Sequence, residues 1–272
     1  MSRPTLTHTL ALALLIATTA PATPAAPAAP ALPTKTFEKT VPLAGAGTLV
    51  VDTYKGSVTL NGWDRPEVRV TARIEGDAEC ASPAADVEKT SIEVTVHGSE
   101  VRVRTDYDAL PKWSGLFSSG CSSRPAVHYD ISAPAAASFT LKDYKSASVL
   151  SGVRGNLDLT TYKGTVRVTG AAGSLRVDTY KGDVSVAMAG LPRGASVETY
   201  KGRVEVSVPK GTPLSLDGET HRGSIDVAGL GSPAAVTTRD RRHGGSVAGP
   251  VNGGGPSIRL STYKGTIRLR ES

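Results

Sequence analysis

The chain has 272 residues, room for one large domain or two small ones around a sizeable core. It carries 29 Gly and 18 Pro, and Tyr supplies eight of its few aromatics; β-branched and small residues dominate after residue 45, which argues against a helical fold and for short strands joined by tight turns. The net charge of +6 favours anionic partners such as a surface glycan, lipopolysaccharide or anionic lipid.

Residues 1–22 read as a signal peptide. Arg3 gives a positive start, Thr9 to Ala17 is apolar but too short to span a bilayer, and Ala20-Pro21-Ala22 offers a small-residue cleavage site. An uncleaved membrane anchor is the alternative. The segment predicts export to the periplasm or cell surface, which makes nucleic acid an unexpected partner. Residues 23–35 alternate Ala and Pro and read as an extended linker. No later apolar run is long enough to cross a membrane.

Residues 36–272 are expected to form one domain, an all-β, right-handed β-solenoid of seven to eight coils. The handedness follows from the rule for parallel crossovers. Residues 63–138 interrupt the repeat as an elaboration near its N-terminal end. There, residues 68–74 alternate as a strand, 91–97 and 101–105 flank a Gly98-Ser99 hairpin turn, 106–125 read as a loop and 127–131 as another strand. Cys80 and Cys121, the two cysteines of the chain, predict a disulfide in an exported protein.

The repeat is Thr-Tyr-Lys-Gly between two short alternating runs. Its tyrosines are Tyr54, Tyr144, Tyr162, Tyr180, Tyr200 and Tyr263, and His221 in Thr-His-Arg-Gly takes a further slot. Around Tyr162, Leu157, Leu159 and Thr161 point one way and Asp158 and Thr160 the other; after Lys163-Gly164, Val166 and Val168 point in. Each coil is therefore strand, bend, strand, turn, and stacked coils bury continuous Leu and Val ladders. The 42-residue gap from His221 to Tyr263 predicts a degenerate coil near 239–245. Ser146 and Ser148 in atypical slots, Asp217-Gly218 and the basic 239–245 segment predict local bulges.

The Gly-x-Val-x-Val strands, Gly62-Trp63-Asp64 and the Tyr129–Pro134 step resemble the bacterial β-strand-repeat family labelled "putative adhesin", over about residues 36–270. The resemblance implies a β-solenoid at the cell envelope. It implies no catalytic residues.

No nucleophile elbow, P-loop, paired-His metal motif or cofactor motif occurs, and the two cysteines lack zinc-ligand partners. The chain is thus expected to be non-enzymatic, without cofactor or metal. Asp52, Asp178, Glu198 and Glu219 recur in one outward slot, as charge balance and not as an isolated acid pair. The candidate binding residues are Tyr54, Lys55, Tyr144, Lys145, Tyr162, Lys163, Tyr180, Lys181, Tyr200, Lys201, Tyr263 and Lys264. Read functionally, they form an aromatic and cationic stripe on which glycan rings pack against Tyr faces while Lys neutralises an anionic polymer. Read structurally, the tyrosines are a stacking ladder. A β-helix carbohydrate-active enzyme and a purely structural assembly module remain the alternatives.

Overall fold

In a computed structural model, the chain is described over residues 31–110, 123–227, 229–230, 237–241 and 244–272. The expected signal peptide, most of the linker and Cys121 lie outside these residues. The first strands are β1 (Thr34–Pro42), β2 (Thr48–Asp52), β3 (Lys55–Trp63) and β4 (Glu67–Glu75). Helix α1 (Pro83–Lys89) precedes β5 (Ser91–His97), β6 (Glu100–Asp106), β7 (Ala126–Pro134) and β8 (Ser138–Ser151). The remaining strands are β9 (Leu157–Lys163), β10 (Val166–Ala171), β11 (Leu175–Lys181), β12 (Val184–Met188), β13 (Ala195–Lys201), β14 (Val204–Val208), β15 (Leu214–Asp226), β16 (Thr237–Arg241), β17 (Gly244–Val251) and β18 (Ser257–Glu271).

The fold is all-β and β-solenoid-like. Two parallel ladders run side by side. One is β2, the first half of β8, β9, β11, β13, and the first halves of β18 and β15. The other is β3, the second half of β8, β10, β12, β14, and the second halves of β18 and β15. Within each coil the chain passes from one ladder to the other at Tyr-Lys-Gly or its counterpart.

Period-two alternation puts one row of side chains inside at each step. Leu49, Phe139, Leu157, Leu175, Ala195, Ile258 and Leu216 make one buried row, and Val58, Ser148, Val166, Val184, Val204 and Ile267 another. Each fully buried Val or Leu contributes about 1.5–3 kcal/mol, and no single coil could bury its own row. At Gly182 the stacking dictates glycine: a Cβ there would lie 1.5 Å from the Gly164 carbonyl oxygen of the neighbouring coil.

Three expectations are corrected. Residues 239–245 do not form a coil, because β16 and β17 run antiparallel and β17 pairs antiparallel with β15. The coil of His221 is therefore the last in space, and the C-terminal β18 lies between it and β13–β14. Bulges at Ser146, Ser148 and Asp217-Gly218 are absent, since their ladders keep register; the shift in the repeat falls at Thr169–Ala171. At Gly218 the missing side chain is replaced by Val247 of β17, whose Cγ1 would be 2.8 Å from an added Cβ. The linker ends earlier than residue 35, because Thr34 already pairs with Glu75.

The elaboration lies against the coil of Tyr54. There, β7 pairs with β3 and continues through antiparallel β4 and β1, while β6 pairs with β2 and continues through antiparallel β5. Among the described residues no helix is long and apolar enough to cross a membrane.

Candidate functional site

The Thr-Tyr-Lys-Gly step sends Thr inward and Tyr and Lys outward, and the parallel register repeats this at every level. The rings of Tyr54, Tyr144, Tyr162, Tyr180, Tyr200, Tyr263 and His221 stack in that order, with centroids 4.7–4.9 Å apart and planes within 11° of parallel. The column is about 29 Å long. Arg124 closes one end, its guanidinium 4.7 Å from the Tyr54 ring centre, with Tyr107 edge-on to Tyr54 at 6.3 Å.

This spacing corrects one expectation. A sugar ring packed between two aromatic faces needs a van der Waals contact on each side, a gap of about 7 Å. Centroids 4.8 Å apart leave no such gap. The tyrosines spend their faces on one another and offer edges and hydroxyls to solvent, at 38–42% exposure for Tyr144, Tyr162, Tyr180, Tyr200 and Tyr263.

Lys55, Lys145, Lys163, Lys181, Lys201 and Lys264 pair level with level, and Arg222 completes the row beside Lys264. Arg222 was legible as the Lys counterpart in Thr-His-Arg-Gly. Lys55 is bound to Asp77 at 2.5 Å and to the Ser123 hydroxyl at 3.1 Å. The Lys55 hydrogen bond, followed by one that the Ser123 hydroxyl donates to Asp77, holds the Asp77 carboxyl at about 2. Among the described residues the other six cations form no ion pair. Lys163 and Lys201 fold over their own tyrosines, with Nζ 5.1 and 5.3 Å from the ring centres.

On the opposite side of the ring column runs a second outward row: Asp52, Lys142, Thr160, Asp178, Glu198, Ser261 and Glu219. An open trough of about 580 Å³ lies between this row and the rings. Asp178 and Glu198 are neighbours in the row, Asp52 and Glu219 stand at its two ends, and the four do not converge from opposite walls.

Beneath the rings, Thr53, Thr161, Thr179, Thr199, Thr262 and Thr220 are all buried. Asp143 takes the Thr slot in the coil of Tyr144, where its Oδ1 accepts a hydrogen bond from Thr161 at 2.9 Å. Burial pushes its carboxyl up to about 6, against hydrogen bonds from Ser146 and Thr161 that favour the charge. Sequence reading passed over Asp143, although it is the acid in a column otherwise made of Thr.

The fold also creates a pair invisible in sequence. Ser57 Oγ lies 2.9 Å from His128 Nδ1 across β3 and β7. Burial, with Arg73 nearby, lowers the His128 pKa. Among the described residues no carboxylate is hydrogen-bonded to the imidazole, so the pair lacks the third member that would orient a general base. Cys80 is buried, with Sγ 3.9 Å from the Ser123 carbonyl oxygen, two residues from Cys121 in sequence. Cys121 itself lies outside the described residues.

Residues 137–270 match the family described as Toastrack DUF4097. Among solved structures, the chain is similar to a "putative cell adhesion protein" of Clostridium sporogenes, with 13% identity, 88% of this chain and 100% of that one covered, and a TM-score of 0.47. It is also similar to a "putative adhesin" of Bacteroides fragilis, at 12% identity, 88% and 97% coverage and a TM-score of 0.29. A third is a "putative lipid binding protein" of Parabacteroides distasonis, at 10% identity, 86% and 96% coverage and a TM-score of 0.27. No curated protein matches the chain.

Proposed function

We propose for this chain, whose residues 137–270 match the family described as Toastrack DUF4097, a non-enzymatic, adhesin-like role in the cell envelope after export: it binds a linear anionic polymer along the repeat column. The observation that carries this reading is the row of seven in-register cations, six of them without a carboxylate partner among the described residues. Neighbouring ammonium groups one coil apart repel by about 0.9 kcal/mol per pair in water before screening. Such a row is costly unless it meets an anion. The tyrosines serve as the scaffold that holds the cations in register, through stacking worth about 0.5–1.5 kcal/mol per ring pair.

Export rests on residues 1–22 and the right hand of the solenoid on the parallel crossovers. The carboxylates form a row along one side, which suits hydrogen bonding and charge balance better than the paired acid and base of a glycoside hydrolase.

The test is titration of the purified protein with polygalacturonate, heparin and polyphosphate at low and at physiological salt. Binding should weaken with salt, and the Lys163→Gln, Lys181→Gln, Lys201→Gln triple variant should bind less tightly with a shallower salt dependence. If none of these polymers binds at low salt, the proposal fails.

A further inference from the structure

The trough and the cation row share one face, yet a single chain does not join them. Asp178, Glu198 and Glu219 line the trough, and no Lys or Arg does. The cation row runs on the far side of the rings, three residues further along each coil, about 10 Å of extended strand away. The rings touch one another along the whole column, with centroids 4.7–4.9 Å apart, and wall the two rows off from each other. Asp178 meets Arg176 at 3.8 Å, an exposed pair of the kind that is worth little. Glu198 forms no ion pair among the described residues.

We infer that a second copy of this chain covers the face when no polymer does: two molecules meet with their solenoid axes parallel, and the cation row of each lies along the trough of the other. The symmetry makes the match. A two-fold axis along the solenoid carries the cation row over to the acidic side of the partner and leaves every coil opposite its own counterpart. Lys181 then faces the partner's Asp178, Lys201 the partner's Glu198 and Arg222 the partner's Glu219, each twice in the dimer. Lys163 and Lys264 face the hydroxyls of the partner's Thr160 and Ser261. The one like-charged level is that of Tyr144, where Lys145 faces the partner's Lys142, so the contact is centred toward the His221 end. A two-fold axis across the solenoid would instead set cation row against cation row. The face is about 29 Å long and about 10 Å wide between the rows, which puts the dimer among weak, transient contacts. Its attraction is between exposed charges and falls as salt rises.

A charge swap tests the pairing by sedimentation equilibrium of the full chain, without polymer, at concentrations up to about 1 mM. The parent should dimerise at low salt and dissociate as salt rises. Lys181→Glu with Lys201→Glu makes both rows acidic at these two levels, and Asp178→Lys with Glu198→Lys makes both basic. All four side chains lie on the outer surface, and a circular dichroism spectrum matching the parent's shows that the fold is kept. Each double variant alone should dimerise at least about tenfold more weakly than the parent. An equimolar mixture of the two should recover the dimer, and so should the chain carrying all four substitutions. A parent that stays monomeric at low salt overturns the inference without any variant. So does a Lys181→Glu, Lys201→Glu variant that dimerises as well as the parent, because the two rows then do not face each other. The polymer titration is read separately: a protein that binds polyanions and stays monomeric sinks only the dimer, and one that dimerises and binds no polyanion sinks only the polymer reading.

Discussion

Asp143 gives the sharpest test of how the column is built. Its carboxyl is held at about 6 instead of 3.8, chiefly by burial. A carboxyl whose folded pKa is raised contributes its stability below the unfolded pKa and loses it as pH rises through the folded value. Between pH 3.8 and 6 the protein therefore loses support at this site, and above pH 7 the ionised group costs up to about 3 kcal/mol. Asp143→Thr restores the residue found at the other levels. It also removes the acceptor for the Thr161 hydroxyl, worth about 1 kcal/mol. The net gain at pH 8 is about 2 kcal/mol, a rise of about 4–8 °C in Tm for a domain of this size. At pH 4 the gain should vanish and the variant should melt level with the parent or slightly below it. Thermal melts followed by circular dichroism from pH 4 to pH 8 measure this directly. A variant whose melting curve stays parallel to the parent's across that range would refute the reasoning, as would one that melts lower at pH 8.

Replacing Tyr162, Tyr180 and Tyr200 together with Ser breaks four ring stacks and should cost about 2–6 kcal/mol in urea unfolding; unchanged stability would show that the stack carries no energy. Gly182→Ala places a Cβ against the Gly164 carbonyl and should lower stability by more than about 2 kcal/mol in the same assay, without touching any cation. Cys80 and Cys121 should be joined in protein recovered from an oxidising compartment. Closing that loop contributes up to about 4 kcal/mol, and mass spectrometry finding two free thiols would exclude the bond.

Which parts of this were legible follows from what a period can encode. The inward and outward assignment at Leu157, Leu159, Val166 and Val168 came directly from alternation, and the column of Tyr and Lys came from spacing alone. The stacking ladder was legible too, as one of two readings; the choice between them was not, because it depends on a common tilt of the rings that no single coil specifies. Asp143 was hidden because its meaning lies in its lateral neighbours, with Thr161 one coil away. Helix α1 was missed in a stretch read for strands, although Pro83 at its start and Asp86 in its first turn are the usual signals.

The order of coils was beyond the sequence for a physical reason. Every coil presents the same edges, so β13 could pair in register with β15 as well as it does with β18; Leu216 and Ile258 occupy equivalent slots, as do Thr220 and Thr262. The choice is made at the end of the stack. A terminal coil exposes unpaired backbone and invites another chain to add to it. The coil of His221 can cover its own edge, because the chain continues from it into antiparallel β16 and β17, and Val247 fills the gap left by Gly218. The C-terminal coil is enclosed on both sides, by β13–β14 and by β15, and Ser272 donates its backbone N–H to the Val208 carbonyl at 2.8 Å. The short Asn252–Pro256 connection, with Asn252, Gly253 and Gly254 at positive φ, turns the chain back so that β18 enters between its neighbours. Edge protection, and not the repeat, therefore decides that Tyr263 stacks between Tyr200 and His221 and that the cation row ends on Arg222.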